Sequence, residues 1–127
     1  MNIKTGIKGH QTKIVEKKDT AAQIGSGLAE VFATPAMIAL MEQTAYKSIE
    51  NVLPEGYSSV GIEINVKHLK ASLPGAIITC KSEINKIDGK KVSFEIIASD
   101  ENGIIGTANH TRYIINSKEF INKLKTK

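Results

Sequence analysis

The chain has 127 residues, 41% of them hydrophobic, which suits one folded domain (1–127) with a real core and does not read as a disordered protein. A formal charge of +4 is a mild excess, and three Phe, three Tyr and no Trp leave little for base stacking, so a nucleic-acid partner is not expected. No apolar run nears the roughly 18 residues of a membrane span, the first residues lack a signal-peptide core, and a single Cys80 excludes internal disulfides, all pointing to a cytoplasmic setting without a membrane partner.

In chain order, about Ile7 to Glu16 reads as a first strand with imperfect alternation. Asp19 to Gly27 contains Gly25-Ser26-Gly27, a flexible stretch suited to a loop or lid. The strongest helix signal follows, with Thr34 as an N-cap candidate and Pro35 at the favoured first helical position. That helix should run to about Val52, where Leu53-Pro54-Glu55-Gly56 ends it.

The period then changes to two. Val60, Ile62, Ile64, Val66 and His68 share one strand face, and Gly61, Glu63, Asn65 and Lys67 the other. Pro74-Gly75 marks a turn. Asp88-Gly89 and Asn102-Gly103 are two hairpin signals, so about 76–87, 91–101 and 104–115 should form an antiparallel meander. A short helix closes the chain, with Ser117 as its cap and Phe120, Ile121 and Leu124 as its apolar face. The fold class is α+β: a five-stranded antiparallel sheet wrapped around a long, apolar helix. Such a sheet leaves an open edge, so a homodimer is expected.

Two ionisable residues fall where apolar ones belong. Projected at about 100° per residue, Glu42 lies in the apolar arc with Ile38, Ile49 and Leu53, opposite Gln43, Thr44, Lys47 and Ser48. A carboxylate there must be paired, protonated or facing a cavity. His68 continues the inward register of its strand and is suited to general-base work or to holding a carboxylate. Both have plainer readings, as an ion pair and as a rim or structural histidine, and Thr34 is explained equally well as a cap. His10 and His110 have no second ligand at metal-binding spacing and read as structural; no metal site is expected. Cys80 has no activating partner, and Gly25-Ser26-Gly27 lacks the Lys and spacing of a phosphate loop.

The run from Glu30 through Thr34-Pro35 to Glu42, together with Val60-Gly61-Ile62-Glu63-Ile64-Asn65-Val66-Lys67-His68 and Pro74-Gly75, resembles the fluoroacetyl-CoA thioesterase-like branch of the hot-dog superfamily. The likeness extends through the hairpin strands to Phe120. It implies a hot-dog fold with acyl-CoA sites at a dimer interface. It also implies a catalytic set of Thr34, Glu42 and His68, a backbone contact to substrate at Gly61, and substrate-binding positions at Leu28 and Phe32. In that branch a Phe-rich lid precedes the catalytic Thr. Here the lid reads Gly25-Ser26-Gly27-Leu28, which implies a different acyl preference.

The resemblance thus implies hydrolysis of a small or medium acyl-CoA thioester, with coenzyme A as part of the substrate and no bound cofactor. Glu42 would activate water or attack the carbonyl, His68 would orient it or move protons, and Thr34 would hydrogen-bond the reacting centre. Lys67 and Lys70 are candidate contacts for the phosphates. Eight residues of ideal helix separate the Cα atoms of Thr34 and Glu42 by roughly 12 Å, so the two should flank the substrate rather than touch. Two alternatives remain: a non-catalytic acyl-CoA or lipid-binding protein of the same fold, and an acyl-carrier-protein thioesterase or hydratase.

Overall fold

The computed structural model describes residues 2–126. The chain begins with β1 (Lys8–Ile14), a 3-10 turn (Lys17–Asp19) and a four-residue helix α1 (Ala21–Ile24). The long helix α2 (Thr34–Ile49) follows, extended by a 3-10 turn (Glu50–Val52). Then come β2 (Tyr57–His68), β3 (Ile77–Asp88), β4 (Lys91–Asp100), β5 (Gly103–Asn116) and α3 (Ser117–Lys125). All strand pairs are antiparallel, in the order β1-β3-β4-β5-β2, so β2 is an edge strand. This is the sheet-around-helix architecture that the periodicity implies.

The core lies between α2 and the concave face of the sheet. Twofold alternation sends Ile78, Cys80, Ser82 and Ile84 of β3 inward, with Val92, Phe94, Ile96 and Ala98 of β4 beside them. From the helix come Met37, Leu40, Met41, Ala45 and Ile49. Strand β1 reaches α2 because Gly9 has no side chain: a Cβ there would stand 2.8 Å from both the Ser48 Cβ and the Thr44 carbonyl.

Several local features depart from the sequence expectations. Both hairpin loops sit one residue away from where the dipeptides put them. Asp88 pairs with Lys91, and Asp100 with Gly103, leaving Gly89-Lys90 and Glu101-Asn102 at the tips. The segment expected as a loop between Asp19 and Gly27 holds the 3-10 turn's end and α1, which Gly25 terminates in the left-handed conformation. Asn116, not Ser117, caps α3, its side chain accepting from the Glu119 N–H at 3.1 Å. The face of α3 is only partly covered, for Ile121 and Leu124 stay about half exposed.

Two corrections bear on the site. The alternation of β2 is broken at Ile62, where two residues face one on β5 between Gly61 and Glu63. Ile62 bulges outward at 51% exposure, so Ser59 and Gly61 face inward before the bulge, and Ile64, Val66 and His68 after it. Unbroken twofold alternation instead predicts Gly61 outward and Ile62 inward. The second concerns the helix. Thr44, assigned to the polar arc, is buried, because its hydroxyl donates to the Leu40 carbonyl at 2.8 Å and pairs with the Gln11 amide at 3.0 Å. The buried stripe is therefore rotated towards Thr44, and Glu42 lies on its flank, 41% exposed, rather than at its centre.

Candidate active site

Thr34 opens α2, but it does not cap it. Ala33 is the N-cap, in extended conformation, and accepts the Met37 N–H at 2.9 Å through its carbonyl. The Thr34 hydroxyl is thereby free of the helix end and lies 2.8 Å from Nδ1 of His68. The entry to α2 is held in place by Asp19. Its carbonyl accepts the Ala33 N–H at 2.9 Å, while its carboxylate accepts from the Glu16 N–H at 2.8 Å and pairs with Lys13 at 3.1 Å.

A pocket of about 320 Å³ opens over this pair, with Ala33, Thr34, Pro35, His68 and Lys70 in its wall. Phe32 contributes to the same wall although its side chain belongs to the core. Leu28 does not line it; at 98% exposure it points into solvent. Burial holds the His68 pKa below the usual imidazole value, with the Lys70 backbone partly opposing, so the ring is neutral at physiological pH. Its other nitrogen, Nε2, is buried and has no partner among the described residues. A neutral imidazole beside a hydroxyl suits proton transfer.

Glu42 belongs to a second cluster, further along the helix. One carboxylate oxygen stands 3.5 Å from Nη1 of Arg112 and 3.9 Å from Nε2 of His110. Both partners project inward from β5, at alternate positions beside Ala108 and Ile114. His110 Nδ1 lies 2.8 Å from the Glu63 carbonyl, which can only accept, so Nδ1 carries the proton. Nε2 then accepts from Arg112 at 3.1 Å, and the contact with Glu42 is not an ion pair. Burial, assisted by the Arg112 charge, lowers the His110 pKa against the opposing Glu63 backbone and Glu42, which agrees with a neutral ring. Arg112 is pinned at its other end by Ser59: Nε donates to the hydroxyl at 2.8 Å and Nη2 to the carbonyl at 3.0 Å. Burial lowers its pKa too, but a guanidinium remains charged.

Gly61 leaves room for this cluster. An alanine Cβ there would lie 2.7 Å from the Glu42 oxygen and 3.1 Å from His110 Cε1. Glu42 thus has an ordered cation behind it, a bare stretch of β2 beside it, and solvent in front. The carboxylate is open to a reacting group on its solvent side rather than satisfied within a core.

Of the sequence candidates, Thr34 and His68 meet directly, and Glu42 meets Gly61. The two groups do not touch within one chain. Arg112 is absent from the sequence candidates, and His110, expected to be structural, lies beside Glu42. The twofold pattern of β5, in which His110 and Arg112 share a face with Ala108 and Ile114, carried the same signal that had exposed His68. Cys80 is buried, its thiol pushed up by desolvation, and is inert as expected. Among the described residues no group of three His, Cys, Asp or Glu could hold a metal, and no helix is long and apolar enough to cross a membrane.

The fluoroacetyl-CoA-specific thioesterase family model matches residues 15–118. Fluoroacetyl-CoA thioesterase of Streptantibioticus cattleyicolor is 34% identical over 98 residues, 77% of this chain and 70% of that protein. The solved fluoroacetyl-CoA thioesterase FlK superposes with a TM-score of 0.93 at 27% identity, covering 100% of this chain and 98% of that one. A thioesterase superfamily member from Thermus thermophilus gives 0.91 at 25% identity, over 99% and 94% of the two chains. Variants of FlK have been crystallised with acetyl-CoA, and with fluoroacetate and CoA. With its hot-dog fold, and with matches that span the start of α2, Glu42, β2 and the β5 pair alike, this chain is a thioester hydrolase of the fluoroacetyl-CoA-specific thioesterase family.

Proposed function

We propose that this protein hydrolyses a small or medium acyl-CoA to the free acid and CoA, without specificity for the fluoroacetyl group. The observation that carries the reading is Glu42, a half-exposed carboxylate set against buried Arg112 and given room by Gly61. Glu42 either takes a proton from a water that attacks the thioester carbonyl, or attacks it directly, expelling the thiolate and forming an anhydride that water then cleaves to free acid and Glu42. Arg112 orients the carboxylate, and Thr34 and His68 bond the reacting centre and relay a proton from solvent to the leaving thiolate as the C–S bond breaks. Coenzyme A enters as part of the substrate, with Lys70 at the pocket wall and Lys67 on β2 as phosphate contacts, and no cofactor is needed. Against fluoroacetyl specificity stands the lid: Gly25, Ser26, Gly27 and an outward Leu28 bring no aromatic ring over the Thr34–His68 pocket.

The catalytic set is completed by a second copy. Gly61 and His68 are seven residues apart on β2, roughly 23 Å at about 3.3 Å per residue, so one chain holds its two clusters apart. The unpaired edge of β2 supplies the joint. An antiparallel pairing of two β2 strands, centred on the strand, brings the His68 end of one copy to the Tyr57–Gly61 end of the other. Mixing Glu42→Gln protein with His68→Ala protein tests this. Each is inactive alone, and a randomly mixed population of dimers should recover about a quarter of wild-type CoA release. No recovery after subunit exchange would place the whole set in one chain. An acyl-CoA panel that includes fluoroacetyl- and acetyl-CoA tests the substrate reading; a strong fluoroacetyl preference would refute it.

A further inference from the structure

A second pocket, of about 300 Å³, lies at the other end of α2 from Thr34 and is walled by Tyr46, Glu50, Leu53, Tyr57, Ser59 and Arg112. Glu42, Tyr46 and Glu50 follow one another at intervals of four residues, so they share one face of the helix and its continuation. Arg112 joins the two places. It touches Glu42 through Nη1, reaches Ser59 through Nε and Nη2, and lies with its guanidinium 5.7 Å from the centre of the Tyr46 ring. A group attached to a carbonyl at Glu42 therefore meets this pocket one helical turn away, about 5 Å.

The chemistry of the walls is selective. Leu53 and the two phenol rings give apolar surface. Arg112, over nine-tenths buried, spends four of its five N–H groups on Ser59, Glu42 and His110, and keeps one Nη2–H. The Ser59 hydroxyl accepts from Arg112 and has its own proton to give. The Tyr46 and Tyr57 hydroxyls have no hydrogen-bond partner among the described residues. Against these donors stands one carboxylate acceptor, Glu50. A plain alkyl chain would strip water from these groups and satisfy none. A second carboxylate would meet Glu50 and share an Arg112 already engaged by Glu42. A hydroxyl fits both sides, accepting from Ser59 or a tyrosine and donating to Glu50.

We propose that this pocket receives the distal part of the acyl group, and that the substrate is a hydroxyacyl thioester with its hydroxyl on about the third or fourth carbon. The inference rests on Glu42 being the site of attack, and the test separates the two. CoA release from 4-hydroxybutyryl-CoA is compared with release from butyryl-CoA and succinyl-CoA, and binding of the same three thioesters to Glu42→Gln protein is followed by calorimetry. The expected result is a preference for the hydroxyacyl compound of about tenfold or more in kcat/KM, mirrored in Kd. Tyr57→Phe and Glu50→Gln should each reduce that ratio, and the double substitution should bring it near one. Equal use of butyryl-CoA, a preference for succinyl-CoA, or a ratio that survives the double substitution would overturn the proposal. If no thioester is turned over but the binding preference is present and yields to the substitutions, the pocket stands and the hydrolytic role of Glu42 falls.

Discussion

Replacing Gly61 by alanine isolates the geometry of Glu42 from the stability of the fold. Gly61 does not have a positive φ, so a strand position accepts alanine without backbone strain. The new Cβ would stand 2.7 Å from the Glu42 oxygen, closer than real Cβ contacts come, with His110 Cε1 at 3.1 Å and Arg112 Nη1 at 3.4 Å. The buried ring and guanidinium are held by Glu63 and Ser59, whereas Glu42 is partly exposed and is the group that moves. A retreat of a few tenths of an ångström in a carboxylate on a flexible stem costs little stability, about 1 kcal/mol or less. For catalysis the same shift matters more, since misplacement of about 1 Å can cost on the order of a hundredfold. Steady-state CoA release by Gly61→Ala should therefore fall by roughly 10- to 100-fold in kcat, with KM changed little. Wild-type kcat in a folded Gly61→Ala protein would refute the packing of Glu42 against β2 as a requirement for turnover.

Other outcomes follow from the same contacts. Thr34→Val should lose about a hundredfold in activity while leaving the melting temperature nearly unchanged, because Ala33 caps the helix; a loss of about 1 kcal/mol in stability would mean that Thr34 does cap it. Arg112→Met leaves the Ser59 carbonyl and His110 without their buried donor and should cost about 1 to 2 kcal/mol in denaturant unfolding, as well as activity. His68 and His110 both have pKa values below the unfolded value, so the unfolded chain binds more protons near pH 6 and stability falls as pH drops from 7 towards 5. His110→Gln should flatten that thermal-melting profile, and the acid limb of activity should follow protonation of His68.

The fold was legible because its patterns are local. Alternation through Ile78 to Ile84 and through Val92 to Ala98 describes one buried sheet face, and Pro35 with the apolar run behind it describes the helix. The site was legible only in part. The bulge at Ile62 inverts the face of every residue before it, and a sequence with unbroken alternation from Val60 to His68 gives no sign of it. The setting of α2 turned on Thr44, a polar residue that becomes buried only because Gln11 from a distant strand meets it. Glu42 and His68 stand out as ionisable groups among apolar neighbours, but Arg112 and Ser59 are brought to Glu42 by strand pairing between β2 and β5, a contact that composition and spacing do not encode. Thr34 is implied by the family resemblance alone; Ala33 caps the helix in its place, and the Thr34 hydroxyl meets His68 instead.

CoA release by wild type and by Glu42→Gln, measured side by side across acyl-CoAs, is the sharpest test of Glu42 as the group that performs thioester hydrolysis. The wild type should turn over, and the variant should lose about a thousandfold or more in rate with its melting curve preserved. Equal CoA release by the two proteins, or none from any thioester by the wild type, would contradict that role.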